Sequence, residues 1–252
     1  CCPSPMRMVS DMRTVYEINL WVHILSGALA LSIIVIPLVA RKGGALHRRA
    51  GWVFTGSMAV VSVTGLIISA AWIVIPLIVK PTDAGASIEE IARYVRSVRV
   101  TGLFFALLSF MTAYAVWGGI SALRNFSYRA QTVIVFCVPI LAVGLSVLAA
   151  GVYFGQVVFT IFGSAAASLA ARDLLRLRQS SSRTGQERIV AHLNAMLGGA
   201  TAAATAFTVQ VVSRLTDIAV LKIAMWVGPA VLGIGTAAWF ARRLRTGRTM
   251  GR

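Results

Sequence analysis

Residues 132–150 read TVIVFCVPILAVGLSVLAA, an apolar stretch without a single charged residue. A helix of that length rises by about 1.5 Å per residue and therefore crosses roughly the 30 Å hydrocarbon core of a bilayer. Similar apolar runs recur along the whole chain, and the short segments between them hold nearly all the charge. The pattern predicts an all-α fold, a polytopic transmembrane helix bundle with about seven spans.

The boundaries of the spans are predicted from the positions of the charged residues. A short outer tail over 1–14, a single transmembrane helical domain over 15–241 and a basic tail over 242–252 follow from them. The sixth span is rich in Ala, Gly and Thr, yet its charge-free stretch from Leu193 to Ser213 is long enough to cross. The predicted spans are 15–40, 52–79, 100–123, 132–150, 153–175, 190–212 and 220–241.

The composition argues against a soluble or nucleic-acid-binding protein. Hydrophobic residues make up 58% of the chain and charged residues only 13%, with a mean hydropathy of +0.80, so no large soluble domain fits beside the spans. The net charge of +16 would suit nucleic acid if it formed a basic face on a folded soluble domain, whereas here Lys and Arg are scattered over loop ends. We therefore expect the lipid bilayer as the partner and no nucleic acid.

The distribution of basic residues predicts the orientation in the membrane. With seven spans, about two thirds of the Lys and Arg residues fall on one side, and that side stays in the cytoplasm. The amino terminus is then outside and the carboxyl terminus is cytoplasmic, as expected for a multi-pass protein of the bacterial inner (plasma) membrane. In the first basic loop, Arg41, Lys42, Arg48 and Arg49 are expected to set the topology or to bind lipid headgroups.

Three local signals refine the helices. Ser87 followed by Glu90 has the spacing of a capping box and predicts a helix that starts there and continues into the third span. A separation of a few residues at Gly151 and Val152 predicts that spans four and five form an antiparallel hairpin. Four prolines within or near the ends of spans predict kinks, namely Pro37, Pro76, Pro139 and Pro229.

The cysteines do not form a recognisable framework. Cys1 and Cys2 are adjacent at the start of the sequence, and Cys137 lies inside the fourth span. This spacing fits neither a set of disulfides nor a zinc ribbon. The first span is expected to serve as the insertion signal.

Polar side chains at depth carry most of the functional information in a membrane protein. No Asp or Glu lies in the central part of a predicted span, which disfavours a proton-coupled transporter. His23 lies in the first span at about 7 Å from its midplane, one turn after Asn19. Two interpretations of His23 are open: a functional ligand, or a neutral histidine that is hydrogen-bonded to a neighbouring helix.

A second group of polar residues is expected at the cytoplasmic ends of the spans. His47 precedes span two, Asp173 ends span five, and His192 opens span six with Met196 one turn later. Imidazole and thioether groups can ligate haem iron or copper, so we predict that His47 and His192 bind a cofactor, with Met196 as a further ligand. Asp173 would orient one imidazole. The alternative is that these residues and the small residues of span six serve helix packing.

His23 is predicted to lie at a different depth in the membrane from the cytoplasmic-side polar residues. His23 and His192 are predicted to differ in depth by roughly 20 Å, so they cannot both be axial ligands of one haem. His23 would then form a separate outer site.

The polar positions also resemble those of a known family. Leu20-Trp21-Val22-His23, then Gly27, and His47-Arg48-Arg49-Ala50-Gly51-Trp52 look like the first two helices of a bacterial family of predicted membrane proteins of unknown function. Asp173-Leu174, His192 with Met196, and Thr205-Ala206-Phe207 look like the second half of some members. The resemblance implies that His23, His47, Asp173, His192 and Met196 are the family's polar positions, and it implies no activity. The chain departs from the family at Thr208-Val209-Gln210 and in its Gly- and Ala-rich sixth span.

Two classes of function remain open at this point. The first is a membrane protein that holds a redox cofactor (haem b, a metal or a quinone) through its histidines. The second is a non-catalytic small-solute permease, sensor or scaffold, which could form a homo-oligomer through small-residue helix faces. A hydrolase is disfavoured because neither Gly-x-Ser-x-Gly nor His-Glu-x-x-His occurs. Whether the protein is an enzyme stays open.

Overall fold

The computed structural model describes residues 4–83, 85–123, 130–176, 184–212 and 218–245, and all regular structure in these ranges is α-helical. Cys1, Cys2 and most of the predicted basic tail lie outside the described residues, whereas Cys137 is buried. The helices are α1 (Pro5–Ile33), α2 (Val35–Val39), α3 (Ala45–Val74), α4 (Pro76–Val79), α5 (Ile88–Leu123), α6 (Ala130–Tyr153), α7 (Val157–Arg176), α8 (Gly185–Val212) and α9 (Ala219–Arg245).

The helices have the length and composition of membrane spans. Six helical segments are long and apolar enough to cross, and α9 adds a shorter apolar segment, Gly228–Phe240. Large apolar side chains such as Leu25, Val63 and Val135 are exposed on their surfaces, where a lipid-facing side chain is expected. The all-α polytopic bundle of about seven spans is thereby confirmed. The six segments are Met6–Val39, Ala45–Val74, Ile88–Leu123, Val133–Tyr153, Val157–Arg176 and Gly185–Thr208.

The chain divides into two compact units. Unit 1 comprises residues 1–24, 60–111 and 130–179, and unit 2 comprises residues 25–59, 112–129 and 180–252. In unit 1, Trp72 packs with buried side chains of α3 and α5, and Phe105 meets its ring edge-to-face at 5.4 Å. The core of unit 2 consists of Ala30, Phe54, Met58, Val116 and Ala200.

Two capping boxes begin two of the long helices. At the start of α5, the backbone N–H of Ser87 donates to Glu90 at 2.8 Å and the N–H of Glu90 donates back to the Ser87 hydroxyl at 3.3 Å. This confirms the predicted start of α5, which continues without interruption into the third span. Thr184 and Glu187 form the same pair at the start of α8, with distances of 2.7 and 3.3 Å. The second box explains why α8 begins five residues before the predicted span.

Two of the four prolines coincide with helix breaks. The first helix is interrupted at Ile34, three residues before Pro37, and the third is interrupted at Ile75, directly before Pro76. Proline has no N–H to donate and its ring crowds the carbonyl four residues earlier, which accounts for both breaks. Pro139 and Pro229 lie inside α6 and α9, which continue past them.

The turn between α6 and α7 makes them a hairpin, as predicted, but it lies later in the sequence. Helix α6 runs through Gly151 and Val152 to Tyr153. It ends where Gly155 adopts a left-handed φ of 65° and the N–H of Gln156 donates to the carbonyl of Gly151 at 2.7 Å. This is a Schellman motif, which favours glycine at the left-handed position because glycine has no Cβ. The prediction from Gly151 was therefore wrong in position, because that glycine serves helix packing.

Glycines bring the backbones of α6 and α7 close together. A Cβ added to Gly151 would lie 2.5 Å from the backbone N of Thr160, and one added to Gly163 would lie 2.5 Å from the backbone N of Leu148. Backbone atoms cannot yield in the way that a flexible side chain can. The hairpin is consequently packed at the distance that only small residues permit.

The ends of the chain are more helical than the predicted tails. Helix α1 begins at Pro5, within the predicted outer tail, and α9 continues to Arg245, within the predicted basic tail. The domain boundaries at 15 and 241 stay a prediction.

Replacing Gly163 should separate α6 from α7. We expect Gly163→Val to lower the free energy of unfolding by about 1–3 kcal/mol, because overpacking against backbone forces the helices apart. Gly198→Val in α8 is the control, since a Cβ there would meet nothing within 4 Å. Unfolding of the detergent-purified variants by heat or SDS measures the difference. Equal stability of the two variants would contradict the close approach.

Candidate functional site

His23 is half-buried in unit 1 and is bonded to the neighbouring helix. Its Nδ1 lies 3.0 Å from the hydroxyl Oγ1 of Thr64 in α3. The Thr64 hydroxyl itself donates to the carbonyl of Val60 at 2.6 Å, so His23 Nδ1 is the donor and Thr64 the acceptor. Asn19, one turn earlier, donates to the backbone carbonyl of Thr64 at 3.1 Å. Both polar side chains of this face thus converge on one residue of α3.

His47 is half-buried in unit 2 and closes the end of a helix. Helix α2 leaves the carbonyls of its last residues without intrahelical partners. The Nδ1–H of His47 donates to the Pro37 carbonyl at 3.0 Å, and Lys42 Nζ donates to the carbonyls of Pro37 and Leu38 at 2.7 and 2.6 Å. This hydrogen bond to the Pro37 carbonyl therefore fixes the orientation of the His47 ring, and it also stabilises the end of α2.

His192 makes an equivalent bond to a different helix. Its Nδ1–H donates to the backbone carbonyl of Gly119 in α5 at 2.9 Å. Gly119 has no side chain to cover this carbonyl, so an imidazole of α8 can reach it. A carbonyl oxygen only accepts, and this fixes the proton of His192 on Nδ1.

Met196 occupies the space that Gly119 leaves open. A Cβ on Gly119 would lie 2.6 Å from Cε and 3.2 Å from Sδ of Met196. Met196 also packs against the core of unit 2 that contains Met58 and Ala200. The thioether and the His192 ring therefore meet the same residue of α5.

His47 and His192 both belong to unit 2. The two imidazoles lie within range of each other for an electrostatic interaction. In its neutral form each ring, with its proton on Nδ1, presents the lone pair of Nε2 as a ligand atom. Neither Nε2 has a hydrogen bond to another residue in the part of the chain that the structure describes.

Asp173 belongs to unit 1 rather than to unit 2. Its carboxylate lies 3.2 Å from Nε of Arg172, and only 18% of its side chain is exposed. The predicted task of Asp173, to orient an imidazole, is performed at His47 and His192 by backbone carbonyls. The assignment of Asp173 to the same site stays a prediction.

The four basic residues of the first loop have different surroundings. Arg48 donates from Nη1 to the carbonyl of Gly43 at 2.6 Å, and Arg49 is exposed. Lys42 is half-buried, and this burial lowers the pKa of its ammonium group. Arg41 and Lys42 line an open cavity beside α9.

The sequence pointed to the histidines but not to their partners. Thr64, Pro37 and Gly119 accept their hydrogen bonds, yet two of these three act through a backbone carbonyl that every residue type carries. Within the described ranges, no three His, Cys, Asp or Glu side chains come together as a metal-binding group. Met196, whose thioether contacts the same Gly119 that accepts from His192, is a further candidate ligand.

Comparisons with known proteins add no name to this site, because no protein-family model, no curated protein and no solved structure matches the chain.

Removing the Thr64 hydroxyl should weaken the packing of α1 on α3. We expect Thr64→Val to lower the free energy of unfolding by about 0.6–2 kcal/mol, because His23 Nδ1 loses its hydrogen bond to the hydroxyl of α3. Thr236→Val is the matched control, since among the described residues the Thr236 hydroxyl bonds within its own helix, to Leu232 at 2.7 Å. Unfolding in detergent measures both variants. An equal loss for both would show that the bond between the helices contributes nothing.

Proposed function

We propose that this chain is a multi-pass protein of a bacterial inner membrane that binds a metal-centred redox cofactor through His47 and His192. A single observation carries the proposal: both histidines donate Nδ1–H to a backbone carbonyl within the same unit. Histidines that ligate metals are usually held in this way, since the bond at Nδ1 fixes the tautomer and aims Nε2 at the metal. The multi-pass fold and the resemblance to a bacterial membrane protein family support the location.

The hydrogen bonds favour a metal over a quinone. A quinone carbonyl needs an N–H donor, whereas each neutral imidazole has already used its N–H on the backbone. A lone pair on Nε2 suits haem iron or copper. Met196 supports the same conclusion, because its thioether is a soft ligand that lies one turn from His192.

The chain's own residues would hold the cofactor and tune it. The carbonyls of Pro37 and Gly119 orient the two rings, and Lys42 shares the Pro37 carbonyl with His47. A bound haem or copper centre supplies one-electron redox chemistry. His23 is proposed as a separate site in unit 1, and Asp173, also in unit 1, keeps its place in the proposal as a carboxylate on the cytoplasmic side of the membrane.

A non-catalytic permease, sensor or scaffold is the second candidate. Both imidazoles already perform a structural task without a cofactor, because His47 closes α2 and His192 joins α8 to α5. Gly198 of α8 presents an open small-residue face, since a Cβ there would meet nothing within 4 Å among the described residues. Self-association through such faces belongs to this second proposal.

An absorption spectrum separates the two candidates. We expect the detergent-purified protein, produced with added haem precursor or copper, to show a band that shifts on chemical reduction, together with bound iron or copper by metal analysis. His47→Asn and His192→Asn should lose band and metal while staying folded, because Asn keeps an N–H near the Nδ1 position and lacks Nε2. His23→Asn, in unit 1, is the control that should retain both.

A colourless, metal-free protein would overturn the proposal and leave the second candidate. Retention of the band in both His47→Asn and His192→Asn would equally overturn the assignment of these two histidines as the ligands. Loss of the band in His23→Asn alone would show that the cofactor is bound in unit 1.

The proposed orientation can be tested by cysteine labelling. In a variant without native cysteines, we expect Asp83→Cys to react with a membrane-impermeant maleimide on intact spheroplasts, because residue 83 precedes the outer start of α5. Leu46→Cys should react only after permeabilisation, because the positively charged first loop stays in the cytoplasm. Both residues are exposed and neither change removes a positive charge. The reverse labelling pattern would show that the topology is opposite to the proposed one.

A further inference from the structure

An open cavity of about 970 Å³ lies in unit 2, between the end of α2 and the carboxyl-terminal half of α9. On α9 its lining residues recur at three- and four-residue intervals from Val231 to Arg243, which places them on one face of that helix. This face is about 18 Å long at 1.5 Å per residue. The cavity is therefore a groove of roughly the length of a lipid acyl chain.

The groove is apolar at one end and basic at the other. Leu38, Val231, Leu232 and Gly235 line the apolar part. Arg41, Lys42 and Arg243 line the other part, and none of the described residues of the lining is an Asp or a Glu. The lining thus carries three formal positive charges at one end and none at the other.

Aromatic rings hold two of the three cations in place. The guanidinium of Arg243 lies 4.1 Å from the centre of the Trp239 ring, and Lys42 Nζ lies 4.8 Å from the centre of the Phe240 ring. Trp commonly marks the level of the headgroups in a membrane protein. The basic end of the groove consequently has the chemistry of the membrane interface and its apolar end that of the hydrocarbon.

We propose that this groove binds one anionic phospholipid, with its phosphate against Arg41, Lys42 and Arg243 and an acyl chain along Leu38, Val231 and Leu232. Arginine suits this task because its planar guanidinium binds phosphate oxygens through two parallel hydrogen bonds. Each buried methylene of the chain adds about 0.8 kcal/mol. An anion at the basic end would also offset the burial of the Lys42 ammonium group.

The basic residues of the first loop differ in their relation to the groove. Of its four basic residues, only Arg41 and Lys42 line the groove, whereas Arg48 bonds to Gly43 and Arg49 is exposed elsewhere on α3. The third cation, Arg243, comes from the far end of the sequence. Its contribution depends on α9 lying beside α2, which the sequence pattern did not indicate.

A lipid-binding measurement tests the groove. Delipidated protein in detergent is titrated with phosphatidylglycerol or with phosphatidylcholine of the same acyl chains, and the bound lipid is counted by native mass spectrometry. We expect one tight phosphatidylglycerol site. The double variant Arg41→Gln/Arg243→Gln should weaken it by about fivefold per arginine, the factor that corresponds to about 1 kcal/mol per basic residue near an anionic lipid.

A matched control removes the same charge from the same segments. Arg49→Gln/Arg242→Gln lies outside the groove lining and should leave the tight site intact. Leu232→Trp should block the acyl-chain part without changing charge, since Leu232 is 72% exposed and the larger ring can be accommodated. This variant keeps the test decisive if the double arginine variant does not fold.

Three results would overturn the proposal. Equal affinity for phosphatidylcholine would show that the cations do not select the lipid. An equal loss in the control variant would show general attraction to a basic surface. Displacement of phosphatidylglycerol by millimolar inorganic phosphate, with Leu232→Trp unaffected, would show an anion site without a lipid chain.

Discussion

The hydrocarbon core of a bilayer offers no water to hydrogen-bond a backbone, and this constraint shapes every part of the described structure. Helices satisfy it along their length, so the exceptions lie at their ends and breaks. The end of α2 leaves carbonyls to which Lys42 and His47 donate hydrogen bonds, and the end of α6 is closed by the left-handed Gly155. Among the described residues, no buried side-chain N or O lacks a partner.

The need to satisfy every buried polar group gives the three histidines the same hydrogen-bonding pattern, in which Nδ1–H is the donor. His23 donates its Nδ1–H to a hydroxyl, and His47 and His192 donate theirs to carbonyls, each across to another helical segment. A bond that satisfies the imidazole for structural reasons also directs Nε2 away from that partner. A histidine can therefore serve helix packing through Nδ1 and ligand binding through Nε2 at the same time. Substitutions that keep the N–H and remove Nε2 are needed to distinguish the two roles.

Small residues determine how closely neighbouring helices and side chains can approach each other. Gly119 exposes a carbonyl to His192 and a space to Met196, whereas Gly163 brings two backbones into direct contact. The first glycine shapes a polar site in unit 2, and the second allows the close packing of a hairpin in unit 1. The groove beside α9 shows the opposite case, in which the helices leave room that a lipid can fill.

The sequence alone determined the helical spans, the capping box at Ser87 and which polar residues lie within or beside the spans, because hydrophobic length, cap spacing and rare polar side chains are local properties. The capping box at Thr184 has the same spacing in the sequence, with Glu187 three residues later. Only the tertiary structure assigned Thr64, the Pro37 carbonyl and the Gly119 carbonyl as histidine partners, and only it placed Arg243 beside Arg41. Backbone acceptors carry no signature in the side-chain sequence, and contacts between distant helices depend on how their surfaces fit. Those features therefore follow from packing, not from any local pattern.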